Sequence, residues 1–459
     1  MAATTGPTFP PAVSSPAPSP SRLARLGYLL VALPRAVLRR PGRSLAILGL
    51  LLLIGVGVGV AGVMLWASYH LRTGRAALQH YHTAEAIPHL QAALAVWPND
   101  PETLLLAARA ARRSGSFDSA DHLLDSYQEM RGEDEDLTLE RVCVRAERGE
   151  PDSVSKYCRS LIEQDHAASP LLFEALAKGE LRGYQPHKAE KLLEEWLQRQ
   201  PDNPQALLIQ GQVYDLEMRQ ADAVKSYRAA LTADPTLDEA RLRLCDGLMQ
   251  LGSVEEAEPH LEYLSRRIPN NLMVQVYRAR IQDRLGNGAE AERMLEAVLA
   301  RQPRFVPALV ERGKLAWRAG QTAEAEKRLR QAVEREPGDY QAHYQLFLCL
   351  EKNSKHDEAQ KEQERLRQIE QDLKEIQAIA GGAMEQSPHN ADLHYQVGMI
   401  SLRAGSVEEG LRWLHSALKE DPNHQRAHQA LMEHYQRIGD LGRAREHRQK
   451  LAAAERGAR

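Results

Sequence analysis

Residues 311–339, "ERGKLAWRAGQTAEAEKRLRQAVEREPGD", form a helical pattern in which small residues recur at fixed places. These are Gly313, Gly320, Ala325 and Ala332, followed by Pro337. Glycine inside a helix costs roughly 0.5–1 kcal/mol relative to alanine, so helix propensity does not explain the spacing. Two helices approach closely only where their facing side chains are small. The stretch therefore predicts a pair of helices in which Gly313 faces Ala325, Gly320 makes the turn and Pro337 ends the second helix.

The same residue types recur with a period of 34. The alanine series is Ala189, Ala223, Ala257, Ala291, Ala325 and Ala359. The proline series is Pro201, Pro235, Pro269, Pro303 and Pro337. Upstream, Ala86, Ala120 and Pro98 continue both series, with one extra residue between about 134 and 169. Downstream, Pro388 and Pro422 resume after a gap of 51, which is 34 plus 17. A fixed period in this range indicates stacked helical units.

This pattern resembles the tetratricopeptide repeat, which has small residues at positions 8 and 20, glycine near 15, alanine at 27 and proline at 32. Residues 306–339 match every position, and residues 204–237 match nearly as well. The resemblance covers residues 67–459 and implies an all-α, right-handed α-solenoid of about eleven helix pairs. Each unit buries its apolar face only against its neighbours. Residues 135–169 match least, since Val154 replaces the alanine and no proline closes the unit.

The 17 extra residues predict a long helical insertion near 357–385, in repeat nine. No glycine or proline lies between Asp357 and Ala380, so the second helix should continue until Gly381 and Gly382. A narrow apolar seam runs along it at Leu366, Ile369, Leu373, Ile376 and Ala380. The seam either packs on neighbouring repeats, which we favour, or binds a partner helix.

The N-terminal part of the chain predicts a membrane anchor. Residues 44–66 are almost wholly apolar, and 23 residues at ~1.5 Å rise are long enough to cross a ~30 Å hydrocarbon core. Residues 1–43 contain six arginines and no acidic residue, and residues 5–20 are rich in proline and serine. We therefore predict a disordered, basic, cytoplasmic N-terminus, a signal anchor, and a repeat domain on the extracytoplasmic side. A mitochondrial presequence is the alternative interpretation of the arginine-rich start.

The anchor contains glycines that favour helix association. Gly55, Gly59 and Gly62 lie on one face, which predicts a possible homodimer through the anchor. A glycine-rich but monomeric anchor is the alternative.

The sequence contains no motif for catalysis, a cofactor or a metal, and we predict a protein that is not an enzyme. The formal net charge is −3, so the chain beyond Arg43 carries −9, and this opposes nucleic-acid binding. His424, His428 and His434 are spaced along one segment but lack a carboxylate set, and we interpret them as exposed helix-surface histidines. Cys143 and Cys158 lie on the two helices of the weakest repeat, where they either form a disulfide or fill the core.

The resemblance implies a concave groove lined by the first helix of each repeat. Position 9 is never asparagine, which argues against the family's clamp for a partner's C-terminal carboxylate. In repeats seven to nine, positions 9 and 13 are basic and two aromatic residues lie among them. The predicted groove residues are Arg280, Arg284, Lys314, Trp317, Arg318, Tyr344 and Lys352. Position 13 is also basic at Arg113 and Arg182, as the helix dipole favours. We expect the groove to bind acidic, aromatic-containing protein segments.

These observations predict a membrane-anchored scaffold for protein–protein interaction, on the extracytoplasmic side of a bacterial inner membrane. One alternative is an accessory subunit of an envelope glycosyltransferase or secretion machine. The other is a protein like the mitochondrial import receptors, whose repeats face the cytosol.

Overall fold

A computed structural model describes the backbone of residues 41–457 and the side chains of residues 49–452. The predicted basic N-terminus therefore lies outside the described residues, apart from its last three positions. The chain divides into two compact units, one ending at Tyr69 and one beginning at His70.

The first unit contributes most of a helix that spans Pro41–Gln79. Its apolar side chains are exposed along the predicted anchor, including Leu53 at 68% and Leu65 at 72%. From Gly49 onward the helix is long and apolar enough to cross a membrane, and the same properties fit a signal sequence. The predicted anchor thus has a helix of the required length and composition.

Among the described residues, the second unit consists of eleven consecutive helix pairs, which we number as repeats one to eleven. The first helices are residues 70–79 of the N-terminal helix, Pro101–Arg113, Glu135–Glu147, Ser169–Arg182, Pro204–Leu216, Asp238–Gln250, Leu272–Arg284, Val306–Arg318, Tyr340–Lys352, Ala391–Arg403 and Gln425–Arg437. The second helices are Thr83–Val96, Phe117–Arg131, Pro151–Glu163, Pro186–Arg199, Gln220–Ala233, Val254–Arg267, Gly288–Arg301, Thr322–Arg335, His356–Ala378, Val407–Glu420 and Leu441–Gly457. No strand occurs within residues 41–457, and the predicted all-α solenoid is confirmed.

The turn between the two helices of every repeat contains one residue with positive φ. Seven of these residues are glycines, at 115, 149, 252, 286, 320, 405 and 439. The other four are Tyr81, Tyr184, Met218 and Ser354, with φ between 55° and 59°. An L-residue in this conformation costs roughly 1–2 kcal/mol, which explains why glycine recurs at position 15.

Side-chain caps start many of the first helices. The carboxylate of Asp100 accepts a hydrogen bond from the amide of Thr103 at 2.9 Å, and Asn203 accepts from Ala206 at 3.0 Å. Asp134, Asn271, Asp339 and Asn390 act in the same way. Each cap satisfies an amide that has no partner within its helix, and so fixes where the helix begins.

The small residues of the repeat allow its two helices to approach closely. A Cβ atom added to Gly313 would lie 2.7 Å from Cγ of Leu329, so the glycine faces the second helix of its own repeat, as predicted, with Leu329 as its nearest neighbour. The glycine leaves room for a large side chain sixteen residues later. Ala325 is fully buried in a cluster that also contains Ala316 and Leu346, the latter from the next repeat.

The second helix of repeat nine spans His356–Ala378 and is followed by a π-helical turn at Ile379–Ala383, in which Gly382 has φ 126°. A short helix, Met384–Gln386, completes the segment. The chain is thus helical up to Gly382 of the predicted insertion and kinks at this residue, close to where the sequence predicts the helix to end.

The apolar seam of this helix packs on neighbouring repeats rather than standing free. Leu366 and Ile369 are buried, but Leu373 is 50% exposed. The carboxylate of Asp372 is buried instead and accepts a hydrogen bond from Nη2 of Arg403 at 2.6 Å. The seam prediction is therefore wrong at Leu373, because a partner from repeat ten stabilises a charged residue next to it.

Distant repeats of the second unit also contact each other. Nη2 of Arg182 lies 3.4 Å from the carboxylate of Glu409, and Nη2 of Arg412 donates to the carbonyl oxygen of Arg182 at 3.2 Å. The rings of Tyr184 and Trp413 lie 5.9 Å apart. We call these contacts the repeat four–ten contact.

Candidate peptide-binding groove

The seven predicted groove residues lie on three first helices that contact each other in turn. Repeat seven provides Arg280 and Arg284, repeat eight provides Lys314, Trp317 and Arg318, and repeat nine provides Tyr344 and Lys352.

Two acidic residues in the groove pair with three of the predicted cations. Glu311 accepts from Nζ of Lys314 at 2.9 Å and lies 3.4 Å from Nε of Arg280. Asp283 pairs with Arg318. Sequence reasoning missed both acids, although the spacing of Glu311 and Lys314 on one helix predicts such a pair. The pairs orient the cationic groups and also compete with an acidic ligand.

The remaining two cations have no carboxylate partner within the described residues. Arg284 is exposed at the end of its helix. Nζ of Lys352 lies over the ring of Trp317, 4.9 Å from the ring centroid, in cation–π geometry. Nε1 of Trp317 is buried and makes no hydrogen bond to any described residue.

The two aromatic groups of the groove lie in different environments. Trp317 is half-buried beneath Lys352, whereas Tyr344 is 38% exposed. Tyr344 stacks on Tyr340 with ring centroids 6.2 Å apart and an interplanar angle of 6°. The hydroxyl of Tyr340 donates to Glu370 at 3.1 Å, and this hydrogen bond raises the pKa of Tyr340. The groove thus offers an exposed aromatic platform beside its cations.

Family models described as tetratricopeptide repeat match residues 77–138, 174–238 and 310–371. These three segments of the chain are tetratricopeptide repeats. Proteins of this family bind protein or peptide partners.

Solved structures with the same kind of fold share little sequence with this tetratricopeptide-repeat chain. The human IFIT1 dimer with m7Gppp-AAAA is 15% identical, with 78% of this chain and 90% of that chain covered and a TM-score of 0.41. Yeast Tom70 is 14% identical, with 85% and 95% covered and a TM-score of 0.32. The APC/C hetero-tetramer Cut9-Hcn1 is 13% identical, with 84% and 93% covered and a TM-score of 0.33. No curated protein sequence matches the chain.

In repeats two to four of this tetratricopeptide-repeat chain, the first helices hold a buried ionic network. Arg112 is fully buried and pairs with Glu140 and Glu147. Arg113 donates to Glu174 at 2.7 Å. Burial alone would raise the pKa of Glu174, but Arg113 and other nearby cations hold it well below its usual range. These charged groups pair with each other, so this part of the stack presents few free charges to a ligand.

Position 13 therefore has different roles in different repeats. Arg113 lies in the buried network and Arg182 in the repeat four–ten contact, whereas Arg318 is 49% exposed. The sequence shows only that all three are basic. Tertiary contacts decide which of them a ligand can reach.

The histidines that we interpreted as exposed are buried. His424 caps its helix, because its Nδ1 accepts from the amide of Ala427 at 3.1 Å, and its Nε2 lies 3.0 Å from Asp392. His428 and His434 are also buried. The surface-histidine interpretation is wrong, because His424 and His428 make hydrogen bonds inside the last repeats and His434 packs edge-on against Tyr435.

The cysteines are free thiols, and all four are buried. Cys143 and Cys158 belong to a hydrophobic cluster with Val154 and Ile162. Burial raises the pKa of Cys158 to about 11, so this thiol is a core side chain rather than a nucleophile.

The three anchor glycines have open surroundings. An added Cβ atom at Gly55, Gly59 or Gly62 would meet no described atom within 4 Å. Their helix face is therefore accessible to a second helix.

Proposed function

We propose that this protein is a membrane-anchored interaction scaffold whose repeats seven to nine bind an acidic, aromatic-containing segment of a partner protein. The observation behind the proposal is that Arg284, Lys352 and Tyr344 are exposed in one groove, whereas Arg113 of repeat two is almost buried in an ion pair with Glu174 and Arg182 of repeat four is held in the repeat four–ten contact.

Binding would use two kinds of contact. The cations speed encounter and orient an acidic segment, and a carboxylate can replace the cation–π contact of Lys352. Tyr344 and the ring of Trp317 then provide apolar contact area. The pairs of Glu311 with Arg280 and Lys314 limit affinity, because an acidic ligand must compete with an internal carboxylate.

We place the repeats on the extracytoplasmic side of a bacterial inner membrane. Support comes from the six arginines before the apolar helix and from the exposed apolar side chains of that helix. A periplasm-dependent reporter fused after Arg459 should be active. A fusion that is active only when the reporter is cytoplasmic would favour the import-receptor alternative instead.

The binding test uses the full chain in detergent and a labelled peptide in which glutamate alternates with phenylalanine. We expect Lys314→Gln combined with Arg318→Gln to raise the Kd about tenfold at low salt, with a smaller effect at high salt. Glutamine is preferable to glutamate here, because charge reversal would place new carboxylates beside Glu311 and Asp283. Fluorescence anisotropy measures the binding.

A matched control removes two cations outside the groove. Lys225 and Arg228 are exposed on the second helix of repeat five. Lys225→Gln combined with Arg228→Gln changes the net charge equally and should leave the Kd unchanged. Equal weakening by both pairs would show general electrostatic attraction, and a lysine-containing peptide that binds equally well would contradict the proposed ligand chemistry.

A further inference from the structure

Three histidines from three consecutive helices meet at the C-terminal end of the repeat stack. His415 lies on Val407–Glu420, His428 on Gln425–Arg437 and His447 on Leu441–Gly457. They line one cleft of about 450 Å³ together with Glu446. The sequence spacing had grouped His428 with His424 and His434, whereas the fold groups it with residues 13 and 19 positions away.

The hydrogen bonding of His428 leaves one of its nitrogen atoms available as a ligand. Its Nε2 lies 3.0 Å from the carbonyl oxygen of Pro422, so Nε2 bears the hydrogen and donates it. Nδ1 therefore has a lone pair, which accepts a hydrogen bond from Nδ1 of His447 at 2.9 Å. A metal ion between the two nitrogens would replace this hydrogen, which His447 would carry on its Nε2 instead. Metal-binding histidines commonly donate their other nitrogen to a backbone carbonyl in this way.

The two nitrogen atoms would bind one ion after moving apart by about 0.4 Å. Imidazole nitrogens bind Zn²⁺ at about 2.0–2.1 Å, which places two of them about 3.3 Å apart at a tetrahedral angle. The observed separation is 2.9 Å, and the ring centroids of His428 and His447 lie 5.2 Å apart. His415 and Glu446 line the same cleft, and the ring of His415 lies 6.3 Å from that of His447, so both side chains would have to rotate toward the ion to bind it.

Burial favours the neutral form of two of these histidines, His447 and His415. Burial lowers the pKa of His447, and the neighbouring His428 and His415 lower it further. Burial also lowers the pKa of His415, with a contribution from Arg443.

The cations that line the cleft are partly compensated. Arg443 lies over the ring of Tyr435 at 5.4 Å and pairs with Asp440, with 3.6 Å between Nε and Oδ2. Lys450 is exposed, and Glu446 provides a negative charge in the same cleft.

We propose that His428 and His447 bind a divalent transition-metal ion of the Zn²⁺ class through their Nδ1 atoms, with His415 and Glu446 as further ligands. Imidazole ligands favour Zn²⁺, Cu²⁺ or Ni²⁺ over Mg²⁺ and Ca²⁺. Such an ion would link three helices of repeats ten and eleven, at the end of the stack where no further repeat covers the last helix among the described residues.

The test uses the untagged full chain in detergent after treatment with EDTA. We expect one Zn²⁺ per chain by isothermal titration calorimetry, a tetrahedral Co²⁺ absorption spectrum, and no binding of Mg²⁺. His428→Gln and His447→Gln should each weaken Zn²⁺ binding at least about tenfold. The matched control is His394→Gln, since His394 Nε2 makes the same contact with the carbonyl of Pro388 at 2.8 Å but its Nδ1 faces Ser416.

Circular dichroism establishes that each variant is folded. If the two buried variants unfold, His415→Gln and Glu446→Gln replace them, and each should weaken Zn²⁺ binding and alter the Co²⁺ spectrum. Absence of binding by the parent, or equal binding by all folded variants, would show that the two histidines form only a hydrogen bond. Binding that is lost in His187→Gln but kept in His447→Gln would assign the ion to the group formed by His187, Glu190 and Glu217, and would overturn the proposal.

Discussion

Single glycines decide how closely neighbouring repeats can pack. A methyl group on Gly179 would collide with the carbonyl oxygen of Ala146, which belongs to the backbone of the preceding first helix and has no rotamer to change. We expect Gly179→Ala to lower the free energy of unfolding by about 2–3 kcal/mol, measured by urea denaturation.

The control for this substitution is Gly288→Ala. An added Cβ at Gly288 meets no described atom within 4 Å, so alanine there should be neutral or stabilise by about 0.5 kcal/mol. Gly313→Ala should fall between the two, because its obstacle is the flexible side chain of Leu329. Similar losses of unfolding free energy at all three positions would show that the close contact between helices does not determine the size of the loss.

Glu180 makes the stability depend on pH. The side chain is buried, and its Oε2 makes no hydrogen bond to any described residue. Burial raises its pKa to about 7, with Lys188 opposing and Asp152 reinforcing the shift. The folded state therefore holds the proton more tightly than the unfolded state, where the pKa is about 4.3. The stability gained from this protonation is fully present below about pH 4 and is lost as the pH rises to about 7.

We expect Glu180→Gln to stabilise the protein by about 2 kcal/mol at pH 8 or so, and by much less near pH 5, because the amide mimics the protonated acid. Urea denaturation at both pH values measures the difference, and other titrating groups cancel between parent and variant. An effect of equal size at the two pH values would show that the charge of Glu180 does not change between them.

The period of 34 revealed the repeats because small residues at fixed spacing are a local property. Which residues face each other is a property of helix crossing, and there the sequence misled. His428 meets His447 of the next helix rather than His424 or His434. The groove cations were predicted, but the pair of Asp283 with Arg318 joins two repeats and required the structure.

At the scale of elements, the absence of glycine and proline predicted that the helix of repeat nine continues past its usual end. Which side chains of this helix are buried could not be predicted from apolar spacing alone. Asp372 is buried although it is charged, because it pairs with Arg403. Leu373 consequently faces outward.

The glycines of the N-terminal helix predict that two copies of this helix associate. Gly55, Gly59 and Gly62 leave an open surface that allows close approach of a second helix. We expect Gly59→Ile to reduce crosslinking between full-length chains in membranes, whereas Leu53→Ile should have little effect. Crosslinking that Gly59→Ile leaves unchanged would support the monomeric anchor.

On the scale of the whole repeat unit, a linear stack couples each repeat only to its neighbours. The second unit departs from that scheme, since Arg267 reaches Glu85 at 3.0 Å and repeat four contacts repeat ten. The sequence could not predict these contacts, because they depend on small rotations between repeats that accumulate along the stack.

The repeat four–ten contact should couple the stability of segments more than 200 residues apart. Arg412 donates to the carbonyl of Arg182 and to Glu409, and Glu409 in turn lies 3.4 Å from Arg182. We expect Arg412→Ala to speed amide hydrogen exchange about tenfold in Ser169–Arg182, since loss of a partly buried charged hydrogen bond costs about 1.5 kcal/mol. The control is Arg266→Ala, because Arg266 is 77% exposed and pairs only within its own helix, with Glu262. Faster exchange confined to Val407–Glu420 and its immediate neighbours would show that the repeats are coupled only in sequence order. In Arg412→Ala, faster exchange in repeat four with unchanged exchange in repeat six would show that the repeat four–ten contact itself couples the stability of these two repeats.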